Sequence, residues 1–214
     1  MLFSMIYLGI KSRAKIKNLN KKETIMEAIA TKILGNFAYD PRTENDNLGK
    51  MVCIHSRYKL GDDHNFSAGT LKDELDELIN SGAGVVLPLY LYDHSGLTMN
   101  TTGFSCGWDS AQVGYIIAYK EDIIKEYGDL SAASLALARS VLEGEVKEYD
   151  QYLTGDVYYF DIEKDGEHVD SCGGFFGYKF VLEEAMGTLD YWHNEDVKQT
   201  ETLKEAVNNY GDGI

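Results

Sequence analysis

The dipeptide Asp165-Gly166 restricts the fold of this chain more than any other feature of its sequence. It lies between two runs with strand character, VYYFDIE at 157–163 and HVDSC at 168–172. Asp-Gly between such runs is the strongest short-range signal for a β-hairpin, because the tight turn needs residues that tolerate positive φ angles. The sequence therefore predicts an antiparallel strand pair at this point.

The rest of the chain mixes strand-like runs with amphipathic helical patterns. Strands are predicted over 1–10, 51–58, 85–93 and 112–119, with a further extended segment at 97–106. Helices are predicted over 21–35, 71–81, 131–153, 178–189 and 197–209. A basic loop is expected at 11–22, and a polar, turn-rich loop at 39–49.

Local signals mark some of the predicted ends. Asn20 and Glu23 have the spacing of a capping box before the first helix, and Thr70 can cap the second. The run Ser81-Gly82-Ala83-Gly84 follows the second helix and is expected to end it. Pro88 indicates that the strand at 85–93 is an edge strand or contains a bulge, because proline cannot donate to a strand ladder.

These elements predict the α+β class. The 214 residues, 44% of them hydrophobic and 26% charged, have the size and composition of one globular domain. We expect a single domain over 1–214, mainly antiparallel sheet with the Asp165-Gly166 hairpin, packed by about four to five helices. Residues 1–22, an apolar strand followed by a basic segment, could lie at its periphery.

The charge of the chain is strongly and unevenly acidic. The net charge is −15, yet residues 1–22 contain six basic side chains and no acidic one. The rest of the chain, from residue 23 onward, is strongly acidic and repels phosphate backbones. We therefore expect that this part does not bind nucleic acid directly. Its surface could attract a basic partner instead, including the basic groove of an enzyme that acts on nucleic acid. The plainer interpretation is that the acidity keeps the protein soluble.

The cysteines and the amino terminus predict a cytoplasmic protein. Cys53, Cys106 and Cys172 are an odd set without a C-x-x-C pair, which favours reduced thiols over a disulfide framework. The apolar opening run of ten residues lacks the flanks of a signal peptide, and no run is long enough to span a bilayer. We therefore expect no membrane partner, although an apolar start with a basic run could also anchor a protein to a membrane surface.

Segments dense in Cys, His and Asp are candidates for catalysis. Cys106 or Cys172 could act as a nucleophile with His94 or His55 as base and Asp109 as orienting group. Glycines follow both cysteines and would let a substrate carbonyl approach backbone amides. The spacing matches no protease signature, and the alternative is that these cysteines are small hydrophobic residues.

A zinc site is the second chemical option. Cys53, His55, His94 and Cys106 could supply four ligands if the strands bring them together. The sequence contains no paired-ligand spacing on either side, so we expect neither a metal nor another cofactor.

The same segments are candidates for a binding surface. Tyrosine, tryptophan and arginine are enriched at the energetic centres of protein interfaces, and carboxylates would suit a basic partner. The predicted binding residues are Arg57, Tyr58, Asp62, Tyr92, Asp93, Trp108 and Asp109. Tyrosines that alternate along strands also cover sheets, so the aromatic residues have a structural interpretation too.

Four blocks carry a resemblance to a known family. They read NLGKMVCIHSRYKLGDDHN at 47–65, LPLYLYDHSGLTMNTTGFSCGWDSAQVGYI at 87–116, EVKEYDQYLTGDVYYF at 145–160 and DSCGGFFG at 170–177. They resemble a family of proteins of uncharacterised activity that phages and related mobile elements encode. The resemblance implies a setting, a small cytoplasmic protein in an infected or plasmid-bearing bacterium, but no activity, cofactor or catalytic residue.

Together these observations favour a non-enzymatic, acidic binding protein of a phage or mobile element. Its partner would be a host protein, such as a defence nuclease with a basic groove, and its action would be of the anti-CRISPR or anti-restriction type. The first alternative is a small cytoplasmic enzyme, a thiol- or metal-dependent hydrolase that uses the Cys, His and Asp blocks. The second is a small regulatory or morphogenesis protein of the mobile element. The sequence does not predict an oligomeric state.

Overall fold

The computed structural model describes residues 14–17, 26–32, 38–82 and 84–211. The chain divides into two compact units: a central unit, Ala38–Gly155, and a terminal unit built from the described residues before and after it. Both combine helices with antiparallel sheet, so the predicted α+β class is confirmed. That the whole chain is one domain stays a prediction.

The central unit is a four-stranded antiparallel sheet between helices. Its elements are α1 (Pro41–Glu44), β3 (Lys50–Cys53), α2 (Ala68–Ser81), β4 (Gly84–Asp93), β5 (Leu97–Asn100), β6 (Ser110–Tyr119), α3 (Lys120–Tyr127) and α4 (Ala132–Thr154), numbered after two earlier strands of the terminal unit. The strand order is β3-β6-β4-β5. As the predicted run at 112–119 indicated, β6 is buried on both faces: Ile116 packs in the cluster that contains Leu142 of α4, and Ile117 in the cluster that contains Leu75 of α2.

Capping residues fix the ends of the two long helices of this unit. Ser67 begins α2 with a reciprocal capping box in which Thr70 is the partner, so Thr70 takes part in the cap from inside the helix. Gly82 ends α2 in the left-handed conformation, as predicted. Ser131 caps α4 through the amide of Ser134, and the predicted helix at 131–153 is confirmed.

Pro88 lies in β4, for which the sequence predicts an edge strand or a bulge, and the structure shows a local edge. The strand β5 pairs only with the last four residues of β4, from Tyr90 to Asp93, so Pro88 has β6 alone as a strand neighbour within the described residues. A register shift follows between Leu89 and Tyr90, but its extra residue, Val113, belongs to β6 and not to β4.

The terminal unit contains the predicted hairpin. Its elements are β1 (Ala14–Lys17), β2 (Met26–Lys32), β7 (Val157–Lys164), β8 (Glu167–Phe176) and α5 (Tyr178–Gly211), and its antiparallel sheet has the order β1-β2-β7-β8. Asp165 and Gly166 join β7 to β8 with φ angles of 53° and 86°. Among the described residues, no helix is long and apolar enough to cross a membrane.

Two predictions near the amino terminus are wrong. Met26–Lys32 is a strand rather than part of a helix over 21–35, and Ala14–Lys17, expected in a basic loop, is a strand paired with it. The apolar spacing fits a helix, but such short patterns are ambiguous and pairing with distant β7 decides the conformation. The predicted strand at 1–10 and the capping box of Asn20 and Glu23 lie outside the described residues.

Four further differences concern short helices and the ends of predicted elements. The loop at 39–49 contains the short helix α1, and the strand predicted over 51–58 ends at Cys53. The helix α3 was not predicted. The two final helices are one continuous helix, α5, since no proline interrupts 190–196 and Lys164 forms an ion pair with Asp196 in that stretch.

Candidate binding surface and buried ion-pair network

Three loops of the central unit come together at one end of its sheet. They follow β3, connect β4 to β5, and connect β5 to β6. Both β3 and β4 are antiparallel to β6 and run towards its start: Tyr92 of β4 pairs with Ser110, and Cys53 of β3 pairs with Gly114. The Asp93 amide donates to the Asp109 carbonyl over 2.8 Å, which joins the end of β4 to the start of β6.

An exposed ion pair connects the first two of these loops. The Arg57 guanidinium donates to the Asp93 carboxylate, and the Tyr58 hydroxyl donates to the same carboxylate over 3.5 Å. The guanidinium carbon of Arg57 lies 5.3 Å from the centre of the Tyr58 ring, within the range of a cation–π interaction. Arg57, Tyr58 and Asp93, all predicted as binding residues, therefore form one cluster.

The Asp109 carboxylate is a second meeting point. Its Oδ2 lies 3.5 Å from Nδ1 of His94 and accepts a hydrogen bond from the Cys106 thiol over 3.8 Å. The structure thus brings together three of the predicted catalytic residues, but the carboxylate lies between the sulfur and the imidazole. A cysteine nucleophile needs its base beside the sulfur, with the carboxylate on the far side of that base.

The third loop exposes Trp108 almost completely while its own backbone is held. The Asn100 side chain accepts hydrogen bonds from the amides of Thr102 and Gly103, and Ser110 donates to the Cys106 carbonyl. Trp108 is 98% exposed. A large apolar side chain in that position has no packing role in the described structure.

Aromatic contacts place Tyr92 beside this loop. Its ring lies 5.5 Å from the ring of Phe104 and 6.1 Å from that of His94, measured between ring centres. We call the set of Arg57, Tyr58, Tyr92, Asp93, Trp108 and Asp109 the three-loop surface.

Asp62, the seventh predicted binding residue, does not join the three-loop surface. It forms a bidentate ion pair with Arg42, whose Nε and Nη2 donate to its two carboxylate oxygens over 2.8 and 2.9 Å. Asp62 also accepts the amide of Met51 over 2.8 Å. Its surroundings are those of a structural anchor between the loop after β3 and the strand itself.

The Arg42 guanidinium has every N–H donor in use. Besides Asp62, it donates to Asn47 over 2.9 Å, to Glu145 over 2.8 Å and to the carbonyl of Gly49. Its side chain is 1% exposed. Burial opposes the charge, but the hydrogen bonds and charges of Asp62 and Glu145 outweigh it and raise the pKa of Arg42 above its ordinary value.

Helix α4 supplies the other half of this buried network. The Glu145 carboxylate accepts the amides of Leu48 and Gly49 over 2.7 and 3.2 Å, and the Tyr149 hydroxyl accepts the amide of Gly61 over 2.9 Å. Arg42, Asp62 and Glu145 line an open cleft of about 800 Å³. Since the guanidinium has no free donor, it holds loops in place and is not available to an anion in this cleft.

The remaining predicted residues are dispersed. Cys53 is buried, and burial raises the pKa of its thiol to about 12, with a further rise from Asp62 and a smaller opposing effect of Arg42. Cys172 is exposed on β8, in the terminal unit. Among the described residues, no group of three or more His, Cys, Asp or Glu side chains could hold a metal ion, so Cys53, His55, His94 and Cys106 do not form a ligand set there.

Sequence reasoning missed Arg42 and Glu145, the centre of the buried network. Arg42 lies in a polar stretch that reads as an ordinary loop, and its partner Glu145 is 103 residues away. The one available signal is the position of Glu145 on α4, next to the buried residues Val146 and Tyr149.

Comparisons of the chain with models of protein families, with curated proteins and with solved structures find no match.

Proposed function

We propose that this chain is a non-enzymatic binding protein that contacts a host protein through the three-loop surface. One observation carries the proposal: Trp108 is 98% exposed on a loop whose backbone is held by side-chain hydrogen bonds. Tryptophan and arginine dominate the residues that contribute most to protein binding, and an ordered loop reduces the entropy lost on association. Exposed Arg57 lies on the same surface, beside Tyr58.

The partner we propose is an enzyme of a host defence system that acts on nucleic acid, of the CRISPR or restriction type. The net charge of −15 and the resemblance to phage and mobile-element proteins support this choice. Within the three-loop surface, Asp93 is paired with Arg57, and Asp109 contacts His94. Carboxylates that occupy a basic groove would therefore come from other exposed positions. The outward residues of α2 qualify: Asp73, Asp76 and Glu77. The compartment that fits is the bacterial cytoplasm.

The test is affinity capture from lysate of a bacterium that carries such systems, at low and at high salt, with identification by mass spectrometry. We expect a nuclease or another nucleic-acid enzyme in stoichiometric amount at low salt and a reduced amount at high salt. Trp108→Ala should weaken that complex by about 30-fold or more, the usual effect of removing a central anchor.

Tyr191→Ala is the matched control, because Tyr191 is an exposed aromatic residue of α5 in the terminal unit. It should leave the complex unchanged. Capture of no protein at low salt would contradict the proposal, as would a complex that Trp108→Ala leaves intact.

The alternative, a thiol hydrolase, rests only on the grouping of Cys106, His94 and Asp109, because the sulfur contacts the carboxylate instead of a base. In that case Cys106→Ala would abolish an activity towards small ester or amide substrates while the free energy of unfolding stayed unchanged. If the chain is a binding protein, neither the wild type nor Cys106→Ala should hydrolyse these substrates. A hydrolase screen of the wild type and of Cys106→Ala therefore separates the two functions.

A further inference from the structure

The loop between β3 and α2 contains a histidine near each end, and the imidazole of each accepts hydrogen bonds from backbone amides. This loop, residues 54–66, carries Arg57 and Tyr58 of the three-loop surface. His55 lies at its start and His64 near its end. Both rings hold the loop through hydrogen bonds that Nδ1 accepts, which is possible only while Nδ1 carries no proton.

His55 accepts two amides at the same ring nitrogen. Its Nδ1 lies 3.2 Å from the amide nitrogens of both Arg57 and Tyr58, which donate to it. The ring also stacks on that of Tyr58, with 5.1 Å between centres and an interplanar angle of 11°. An imidazole nitrogen accepts a hydrogen bond only when it carries no proton, so Nδ1 must be unprotonated in this geometry.

His64 makes the equivalent interaction at the other end of the loop. Its Nδ1 accepts the amide of Phe66 over 3.2 Å, and its Nε2 lies 2.8 Å from the carbonyl oxygen of Cys53. A carbonyl oxygen only accepts, so Nε2 is the donor and the ring is the neutral tautomer protonated at Nε2. His64 therefore connects the loop's last residues to the end of β3.

We propose that His55 and His64 are positioning residues: as neutral imidazoles they clamp the 54–66 loop in the conformation that presents Arg57 and Tyr58. A second proton on either ring would place an N–H against the amide N–H groups that Nδ1 now accepts. The consequence for partner binding rests on the proposed function, whereas the clamp itself is a property of the free protein.

The charged groups around the two rings come from several elements. Arg57 and Asp93, the latter from β4, form their ion pair beside His55. Near His64, Asp63 is paired with Lys59, which holds the pKa of Asp63 below its ordinary value.

Two further groups complete the surroundings of the rings. The thiol of Cys53 remains protonated at neutral pH, and Lys50 lies 5.8 Å from the centre of the Phe66 ring. His94 differs from the two loop histidines, because a proton would strengthen its contact with Asp109.

Native-state hydrogen exchange measured by NMR on the full chain tests the clamp directly. In the wild type, the Arg57, Tyr58 and Phe66 amides should exchange about 10-fold or more slowly than their intrinsic rates. His55→Ala should remove the protection of the Arg57 and Tyr58 amides. His55→Asn should keep it, because its side-chain oxygen accepts amides two or three residues on.

His168→Asn is the control, since His168 lies on β8 in the terminal unit, and it should leave the wild-type protection unchanged. The proposal is overturned if His55→Ala protects the Arg57 and Tyr58 amides as well as the wild type does. It is overturned equally if His55→Asn loses this protection as fully as His55→Ala. If the exchange results hold but no partner is captured, the proposed function fails and the clamp stands.

Discussion

The central unit contains two arginines that pair with aspartates in opposite ways. The Arg42 side chain is 1% exposed and uses all its donors on Asp62, Asn47, Glu145 and the carbonyl of Gly49. The Arg57 side chain is 66% exposed and has one carboxylate partner, Asp93. The two ion pairs share chemistry, so their different roles follow from burial and from the number of donors in use.

This difference separates stability from recognition. Removing one partner of a buried ion pair leaves an uncompensated charge, whereas water screens an exposed pair and replaces its hydrogen bonds. We therefore assign the Arg42 network to the folding of the central unit, and Arg57 to the surface through which we propose that the protein binds.

The largest effect is expected from Arg42→Ala. It leaves the carboxylates of Asp62 and Glu145 without their buried cation, and should lower the free energy of unfolding by about 3–5 kcal/mol. Urea denaturation followed by circular dichroism measures this loss. A loss below 1 kcal/mol would show that the network contributes no more than an exposed pair does.

The second-largest effect is expected from alkaline pH, which should destabilise the region around this network. Burial raises the pKa of the Cys53 thiol from an ordinary 9.0 to about 12, so the folded state retains the neutral form. The stability due to this shift is complete below about pH 9 and is lost as pH rises through about 12. The pH dependence of the unfolding free energy should be smaller in Cys53→Ala, and an unchanged slope would contradict the shift.

Thiol labelling compares the same two regions without a substitution. Under native conditions near neutral pH, Cys106 and Cys172 should react with iodoacetamide, since neither is fully buried, whereas Cys53 should resist. Peptide mass spectrometry identifies the labelled sites. Equal labelling of Cys53 would mean that the network opens readily.

A moderate loss is expected from Tyr149→Phe. The variant keeps the buried ring but removes the hydroxyl that accepts the Gly61 amide, so it should cost about 1–3 kcal/mol of unfolding free energy. Tyr152→Phe, on the same helix and less buried, is the control and should change the free energy much less.

The smallest effect is expected at the exposed pair. Arg57→Ala and Asp93→Ala should each lower the free energy of unfolding by about 1 kcal/mol or less, and the double-mutant cycle should give a coupling energy of similar size. A coupling well above that value would remove the contrast with Arg42.

Local signals in the sequence predicted the parts of the fold that local physics decides. Asp165-Gly166 forms its hairpin because both residues adopt positive φ angles, and Gly82 ends α2 for the same reason. The helical pattern near Met26–Lys32 failed because pairing with β7, more than 120 positions later, determines the strand. Sequence periodicity carries no information about such a partner.

In the candidate site, too, the sequence indicates residues that are close in the chain but not their distant partners. Arg57, Tyr58, Asp93 and Asp109 lie in loops or at strand ends that the strand order brings together, while their role in binding stays a prediction. Asp62 is predicted as a binding residue with them because carboxylates would suit a basic partner. Its partners Arg42 and Glu145 are distant in the chain, and a sequence shows neither their proximity nor their burial.

We propose that recognition and stability depend on separate parts of the central unit. The most direct test measures unfolding free energy and partner capture on Trp108→Ala and Tyr149→Phe side by side. Trp108→Ala should unfold like the wild type but lose the captured partner, whereas Tyr149→Phe should be destabilised yet retain the partner under conditions where it is folded. A Trp108→Ala protein that still binds, or that unfolds as easily as Tyr149→Phe, would contradict this separation.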